Sequence, residues 1–153
     1  MSEIHTEFLF QISFEVPRIV DLGQTPYGIR RIAEVSGGVF EGPKLRGTVL
    51  PAGGDWIIIR PDKVMQLDVR VTLKTEDGEL IYMTYRGVRH GPDDVMERLN
   101  AGEDIDPSDY YFRTAPFFET GSEKYTWLNG IISVSKGQRL PKGPVYQVYQ
   151  VLW

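Results

Sequence analysis

The strict alternation of apolar and polar residues between Met65 and Lys74 is the sequence feature that most restricts the fold. In the segment MQLDVRVTLK every second residue from Met65 to Leu73 is apolar, and the residues between them are polar or charged. Because successive side chains of a β-strand point to opposite faces of a sheet, this period of two predicts a strand with one apolar and one polar face. The Asp77-Gly78 pair that follows favours a hairpin to the next strand, LIYMTYRGV.

Weaker versions of the same alternation, separated by Gly, Pro and Asp turns, predict about nine strands in all. Besides the two strands above, the predicted strands cover residues 7–16, 27–40, 44–50, 55–60, 110–118, 125–135 and 145–153. Long antiparallel strands with short turns expose their edges unless they close into a barrel or pack as two sheets. We therefore predict an all-β fold, a single antiparallel β-barrel domain over residues 1–153.

Only the segment between residues 91 and 109 departs from the strand pattern. Pro92 suits the first turn of a helix, and the Asn-Ala-Gly run at 100–102 suits its end. The apolar stripe of about two turns between them consists of Val95, Met96 and Leu99. We predict one short helix, within an excursion that either covers the mouth of the barrel or lies on its surface as a loop.

The alternation leaves open which strand face lines the barrel. If the residues from Met65 to Leu73 point inward, the centre is a dry core, the usual arrangement in β-proteins. If they point outward, Asp68, Arg70 and Thr72 line a polar lumen, and another subunit or the helical excursion has to cover the apolar face. Asp68 and Arg70 share a face because they are two residues apart, so inside a lumen they would pair or bind a ligand. On a solvent-facing surface they form only a weak ion pair.

Composition and motifs argue against several classes of function. The net charge of -4 and the lack of a basic stripe disfavour nucleic-acid binding, and no apolar run approaches the roughly 20 residues that span a bilayer. The chain has no cysteine, and its histidines, His5 and His90, show no metal-ligand spacing. Nucleotide-binding glycine motifs are absent. We therefore expect no metal, no cofactor and no membrane partner, and the lack of a signal peptide favours the cytoplasm.

Several residues in or near the predicted strands have side chains suited to a site. Asp55 follows a Gly-Gly turn and is expected to accept hydrogen bonds from its amides. Trp127 and Asn129 share a face of their predicted strand, and an aromatic beside an amide shapes either a ligand pocket or a barrel end. Pro116 cannot donate a ladder hydrogen bond, so the strand before it bends or ends there.

Four segments carry a resemblance to a known family: GGVFEGPKLRGTVLPAGGDW (37–56), LDVRVTLKTEDGELIYMTYRG (67–87), YFRTAPFFETGSEKYTWLN (111–129) and VYQVYQVLW (145–153). In order and spacing they resemble the bacterial and fungal family called domain of unknown function 3237, across nearly the whole chain. The resemblance implies a single β-barrel, similar to lipocalin-like and allene-oxide-cyclase-like barrels, that forms a homo-oligomer. It implies little about activity. The recurring polar positions of the family correspond here to Asp55, Asp68, Arg70, Arg113, Glu119 and Asn129.

Two functions fit these observations, and we favour the first. It is a cofactor-independent isomerase, cyclase, lyase or hydrolase acting on a small carbonyl-bearing or aromatic molecule inside the barrel. Arg70 or Arg113 would stabilise an oxyanion, and Asp68, Glu119 or a tyrosine would move a proton. The expected ligand-binding residues are Asp55, Trp56, Tyr82, Trp127, Asn129 and Tyr149. The alternative is a non-catalytic carrier or sensor.

The two functions make different demands on the polar residues. A carrier has a uniformly apolar cavity, whereas catalysis requires a carboxylate and an arginine that meet inside the barrel. We expect placement of Asp68, Arg70 and Arg113 all on the solvent side of the barrel to exclude the catalytic version of the function, which relies on them.

Overall fold

The alternating segments form eleven β-strands in a computed structural model that describes residues 2–153. The strands are β1 (Thr6–Glu15), β2 (Arg18–Thr25), β3 (Gly28–Val35), β4 (Gly37–Glu41), β5 (Arg46–Val49), β6 (Gly53–Ile59), β7 (Met65–Thr75), β8 (Leu80–His90), β9 (Tyr111–Glu119), β10 (Ser133–Leu140) and β11 (Gly143–Val151). One α-helix, α1 (Asp93–Asn100), and a 3-10 turn at Pro107–Asp109 lie between β8 and β9. A second 3-10 turn at Thr126–Gly130 precedes β10.

Eight of these strands close an antiparallel barrel. Their order is β7-β5-β4-β1-β11-β10-β9-β8, and β8 pairs back onto β7 along ten residue pairs. The other three strands extend the sheet in the order β2-β3-β6-β7. β7 serves both parts because its first half pairs with β6, as at Met65 and Ile59, and its second half pairs with β5, as at Leu73 and Val49. The extension therefore lengthens the wall at one end of the barrel.

The apolar face of β7 points into the barrel. Leu67, Val69, Val71 and Leu73 are buried, whereas Asp68 is half-buried and Arg70 is exposed on the other face. Large aromatic side chains fill the interior beside them, among them Phe10, Phe40, Phe112 and Tyr146. Burial of this apolar surface is the main stabilising contribution to the barrel. The dry-core alternative is the one that the chain adopts.

The strand prediction differs from the structure in three places. The predicted strand 27–40 is two strands, β3 and β4, which pair with β6 and β1 respectively. The prediction missed β2, whose apolar residues Ile19, Val20 and Leu22 are exposed and whose pairing with β3 contains a bulge between Asp21 and Gly23. The predicted strand 125–135 is wrong at its start, because residues 126–130 form the 3-10 turn and β10 begins at Ser133.

The helical excursion covers the end of the barrel beside the extension. Leu99 is the buried residue of α1, and Val95 and Met96 pack against the barrel core. Helix α1 follows Pro92 as predicted and has two aspartates in its first turn, where they interact favourably with the helix dipole. Within residues 2–153, no helix has the length and apolar character needed to cross a membrane.

Candidate functional site

A cavity of about 530 Å³ lies at the barrel end that the three-stranded extension lengthens. Strands β3, β6, β7 and β8 line one side of it, the β10–β11 turn at 139–144 lines another, and the C-terminal end of α1 closes over it. Apolar side chains make up most of the wall. Polar side chains also line it. The buried ones among them are the carboxyl of Asp55, the hydroxyls of Tyr85 and Tyr146 and the guanidinium of Arg89. The remaining polar side chains lie towards the opening and belong to Arg31, Asn100, Glu103, Arg139 and Lys142.

Asp55 lies on the inward face of β6, between Ala33 of β3 and Val69 of β7. Pairing between β6 and β7 holds at Asp55 but skips the next two residues, Trp56 and Ile57. The amide of Asp68 donates its hydrogen bond to Oδ1 of Asp55 instead, over 3.1 Å. No other hydrogen bond reaches this carboxyl from residues 2–153, so one oxygen is held by the backbone and the other is available to the cavity.

Burial raises the pKa of Asp55 from 3.8 to about 7, and the nearby negative charge of Asp68 adds to the rise. The hydrogen bond from the amide of Asp68 and the positive charge of Arg89 act in the opposite direction but are outweighed. The carboxyl therefore exchanges its proton near neutral pH, which is the range a general acid or base requires.

Arg89 lies on the inward face of β8, in phase with Ile81, Met83 and Tyr85. Its side chain is 7% exposed, and the guanidinium carbon lies 5.6 Å from the ring centre of Phe112. Nε has no hydrogen-bond partner among residues 2–153, and no ion pair to Arg89 occurs in that part of the chain. Burial lowers the pKa of Arg89, yet an arginine stays protonated at neutral pH. The cavity thus contains a buried positive charge that forms no ion pair within residues 2–153.

Tyr85 and Tyr146 form the wall between these two groups, with ring centres 5.1 Å apart. The side chain of Tyr85 points inward from β8. Tyr85 is paired with Val69 of β7, and Val69 is paired in turn with Asp55 of β6. Burial raises the pKa of both tyrosines well above their usual range, and the negative charge of Asp55 contributes. Both phenols therefore stay protonated and act as hydrogen-bond donors rather than as bases.

The other two arginines of the cavity have partners in the protein. Arg31 forms an ion pair of 3.2 Å with Asp21 of β2. The side chain of Arg139 donates to the carbonyl of Leu140, and its amide donates to the hydroxyl of Tyr110 over 2.9 Å. Arg89 differs from both because its guanidinium lacks such a partner.

The four residues predicted to be catalytic lie outside this cavity. Asp68 and Arg70 are on the outer face of β7, and Arg113 and Glu119 are on the outer face of β9. The outward placement of each residue follows from the strand alternation, because its apolar neighbours along the strand face the core. None of the four side chains faces the cavity, so no reaction in the cavity is assigned to them.

Of the predicted ligand-binding residues, only Asp55 lines the cavity. Trp56, Tyr82 and Tyr149 lie on outer faces, and Trp127 is half-buried in the 3-10 turn at 126–130. The amide of Asn129 in that turn exchanges hydrogen bonds of 2.8 and 2.9 Å with the backbone of Thr120. Its role is therefore to hold the loop after β9.

A second depression, of about 630 Å³, lies on the outer face of β3, β6, β7 and β8 and includes Asp68 and Trp56. Among its charged groups, Arg60 pairs with Asp62, and Arg30 donates to the carbonyls of Trp56 and Ile57. We assign the site to the interior cavity, because the carboxyl of Asp55 and the guanidinium of Arg89 are both buried there, whereas Asp68 and Arg86 of the outer depression are more exposed to solvent. Within residues 2–153, no three His, Cys, Asp or Glu side chains come together to hold a metal ion.

Residues that the prediction missed, Tyr85, Arg89 and Tyr146, carry a recognisable signal. Each occupies the apolar phase of its strand, and Arg89 is the charged residue in the series Ile81, Met83, Tyr85, Gly87, Arg89. A charge on the apolar phase enters the interior, whereas a charge on the polar phase reaches solvent.

Comparison with known proteins gives the same barrel. Residues 4–151 match a family described as protein of unknown function, DUF3237. A UPF0311 protein of Bradyrhizobium diazoefficiens is 38% identical over 149 residues, which is 97% of each chain. The crystal structure of a conserved protein of unknown function from Rhodopseudomonas palustris is 36% identical with a TM-score of 0.95, over 99% of this chain and 100% of that one. A β-barrel-like protein from Acinetobacter baumannii is 38% identical with a TM-score of 0.87, over 99% and 98% of the chains.

A more distant relative has a described activity. A hydroalkoxylation enzyme of Penicillium herquei is 27% identical over 126 residues, which is 82% of this chain and 68% of that protein. The crystal structure of an enzyme from the same fungus has the same fold, with a TM-score of 0.76 at 22% identity, over 99% of this chain and 97% of that one.

Proposed function

The chain belongs to the DUF3237 family of proteins of unknown function, and we propose that it is an acid–base enzyme that uses Asp55 to protonate a small molecule in the barrel cavity. The observation that carries this proposal is the buried carboxyl of Asp55, which lines the cavity and has a pKa of about 7. Perturbed carboxyls in clefts are typical of catalytic acids and bases. The proposed reaction class is addition of a hydroxyl group across a carbon–carbon double bond, or the reverse elimination.

The distant fungal relative supports this reaction class, because hydroalkoxylation is the addition of an O–H group across a double bond. In the intramolecular case, protonated Asp55 gives its proton to one alkene carbon, whose π electrons form the new C–H bond. The hydroxyl oxygen of the same molecule forms a C–O bond at the other carbon. The hydroxyl proton then returns to the Asp55 carboxylate, so the product is an isomer and the enzyme is regenerated.

The other cavity residues have roles that suit this step. The guanidinium of Arg89 binds an acceptor oxygen of the substrate away from the reacting hydroxyl and so orients it, and the phenols of Tyr85 and Tyr146 offer further hydrogen-bond donors. The surrounding apolar wall excludes water that would compete for the activated alkene. A purely passive carrier needs from Asp55 only the oxygen that accepts the hydrogen bond of the Asp68 amide, which an uncharged amide side chain would supply without the cost of a buried ionisable group.

Deuterium incorporation from solvent tests the proposal. Purified protein is incubated in D₂O with a panel of 2-alkenylphenols, and cyclic ether products are separated and analysed by mass spectrometry and NMR. We expect an isomeric ether with one deuterium bonded to carbon. Asp55→Asn should lower its rate of formation at least about 100-fold, the usual contribution of a general acid. Glu119→Gln, an exposed carboxyl on β9, is the matched control and should leave the rate unchanged.

A second measurement tests Asp55 without a substrate. The side-chain carboxyl ¹³C resonance of Asp55 should titrate with a midpoint near 7, and the rate should fall above that pH as the acid form disappears. A midpoint below about 5, close to that of ordinary carboxyls, would remove Asp55 as the acid. Thermal stabilisation by the phenols without any deuterated product would favour the carrier.

A further inference from the structure

The unpartnered guanidinium of Arg89 indicates what kind of molecule the cavity binds. Buried polar groups are almost always hydrogen-bonded, and one that is not calls for a specific explanation. The side chain of Arg89 is 7% exposed and its Nε has no partner among residues 2–153. Its planar fork of donors suits a carboxylate or another delocalised oxyanion. The missing partner is therefore best supplied by a ligand.

The protein groups that face Arg89 leave the charge open to such a ligand. Phe112 of β9 lies under the guanidinium, Tyr146 of β11 and Tyr110 contribute neutral phenols, and Arg139 of β10 adds a second positive charge. Asp55 of β6 is the carboxyl whose charge reaches it. When Asp55 is protonated, Arg89 and Arg139 give these three residues two positive charges. When Asp55 is ionised, their net charge is still about plus one.

Aromatic rings around Arg89 define the shape of the ligand. Phe14, Tyr85 and Tyr146 pack with ring centres 5.1 to 6.3 Å apart, and Phe112 lies edge-on to Tyr146 at 5.4 Å. All four residues line the cavity. Rings at these angles offer flat faces and edges on which a planar conjugated molecule packs well.

We infer that the cavity binds a planar aromatic or conjugated molecule with a single negative charge, whose oxyanion is held by the guanidinium of Arg89. The inference rests on the proposed function, since it names the substrate class of the same site. The oxyanion is a substituent separate from the hydroxyl that adds to the double bond, so the hydroxyl proton still returns to the Asp55 carboxylate. When Asp55 is protonated, the anionic ligand lies beside a neutral carboxyl and not beside a second negative charge.

Two probes of the same shape and different charge test the inference. Isothermal titration calorimetry at pH 6 compares 2-naphthoate with its neutral amide, 2-naphthamide, in wild-type protein and in three arginine variants. We expect naphthoate to bind wild type at least about tenfold more tightly, the effect of roughly 1.4 kcal/mol from a charged hydrogen bond. Arg89→Met should abolish that preference, and Arg89→Lys should keep part of it. Arg113→Met, an exposed arginine on β9, is the matched control and should behave as wild type.

The pH dependence adds a readout that non-specific anion binding lacks. Naphthoate affinity for wild type should fall above pH 7, by up to roughly tenfold per pH unit, because ionised Asp55 repels the anion. Asp55→Asn should keep the affinity and lose this dependence. Circular dichroism of each variant confirms that it is folded. Equal affinity for the two probes, no measurable binding of naphthoate at millimolar concentration, or an unchanged preference in Arg89→Met would overturn the inference.

The outcomes separate this inference from the proposed function. If naphthoate binds through Arg89 but wild type transfers no deuterium to carbon, the cavity is an anion-binding carrier site and the acid–base proposal fails. If deuterium is transferred but the two probes bind equally, the acid–base proposal stands and the anion inference fails.

Discussion

Asp55 links the chemistry of the cavity to the stability of the barrel at the scale of a single residue. Its pKa is about 7 in the folded chain, compared with an ordinary value of 3.8, mainly because burial disfavours the charged form. The folded state therefore holds the proton more tightly than the unfolded state does. The resulting stabilisation is complete below pH 3.8 and is lost as the pH rises through 7.

Replacing Asp55 with asparagine should reverse that loss. The asparagine side chain cannot ionise, and its oxygen can still accept the hydrogen bond that the amide of Asp68 donates to Asp55. We expect Asp55→Asn to be more stable than wild type at pH 8, by at most about 4 kcal/mol, with the difference vanishing towards pH 4. Urea unfolding at several pH values measures it. Glu119→Gln is the exposed control, and a pH-independent difference for Asp55→Asn would contradict the assigned pKa.

Arg89 should likewise reduce the stability of the ligand-free barrel. An uncompensated buried charge is costly, and replacing buried charges with apolar side chains of similar volume is often stabilising by roughly 1 to 4 kcal/mol. We expect Arg89→Met to raise the free energy of unfolding by about 1 to 2 kcal/mol. Denaturant midpoints measure the effect, and Arg113→Met should change the stability by less than about 0.5 kcal/mol. A less stable Arg89→Met variant would show that the guanidinium is already well compensated.

At the scale of strands, the sequence supported most of the element assignments. The alternation in β7, the Asp77-Gly78 turn and the Pro92 helix start are all confirmed. β2 was missed because its apolar residues are exposed and a bulge at 21–23 breaks its alternation. The 3-10 turn at 126–130 was missed because its aromatic and apolar residues also fit a strand, and the side chain of Asn129 that holds it acts over nine residues.

The site was less predictable than the strands for a physical reason. Asp55 meets Tyr85 only because β6, β7 and β8 pair in one register, and Tyr146 joins them only when β11 closes the far side of the barrel. The position of a residue in the alternation of its strand indicates whether its side chain points into the barrel. It does not indicate which inward-pointing side chains line the same cavity. Asp68 and Arg113 lie on the polar phase of their strands and face outward, whereas the buried charge, Arg89, lies on the apolar phase of β8.

Close packing between β9 and β10 gives a prediction at this scale. A Cβ built on Gly137 would lie 2.9 Å from ring carbons of Phe112, which supports Arg89 and packs on Tyr146. Gly137→Ala should therefore displace the ring and destabilise the barrel by about 1 to 3 kcal/mol, as overpacking of a core does. Chemical denaturation measures the loss. Gly121→Ala is the matched control because nothing lies within 4 Å of its Cβ, and equal effects of the two changes would contradict the packing argument.

For the whole molecule, the extension leaves one edge of the sheet unpaired. The barrel strands form a closed ring, whereas β2 pairs with β3 alone in the described chain. Ile19, Val20 and Leu22 of this edge are 50%, 48% and 53% exposed. Exposed edges with apolar side chains pair readily with other chains, and a bulge only limits the length of such pairing. A second copy of the chain is the partner that we expect to satisfy this edge, by two-fold pairing.

We therefore predict a homodimer in which β2 of one copy pairs antiparallel with β2 of the other. Val20→Lys should convert it to a monomer, because two lysines would meet across the two-fold axis and lose the apolar contact. Light scattering after size exclusion, at concentrations spanning two decades, measures the mass, and circular dichroism should stay unchanged. Leu80→Lys is the matched control, since Leu80 is also 53% exposed but lies on β8, and it should remain dimeric. A monomeric wild type at every concentration, or a dimer that Val20→Lys leaves intact, would contradict pairing through β2.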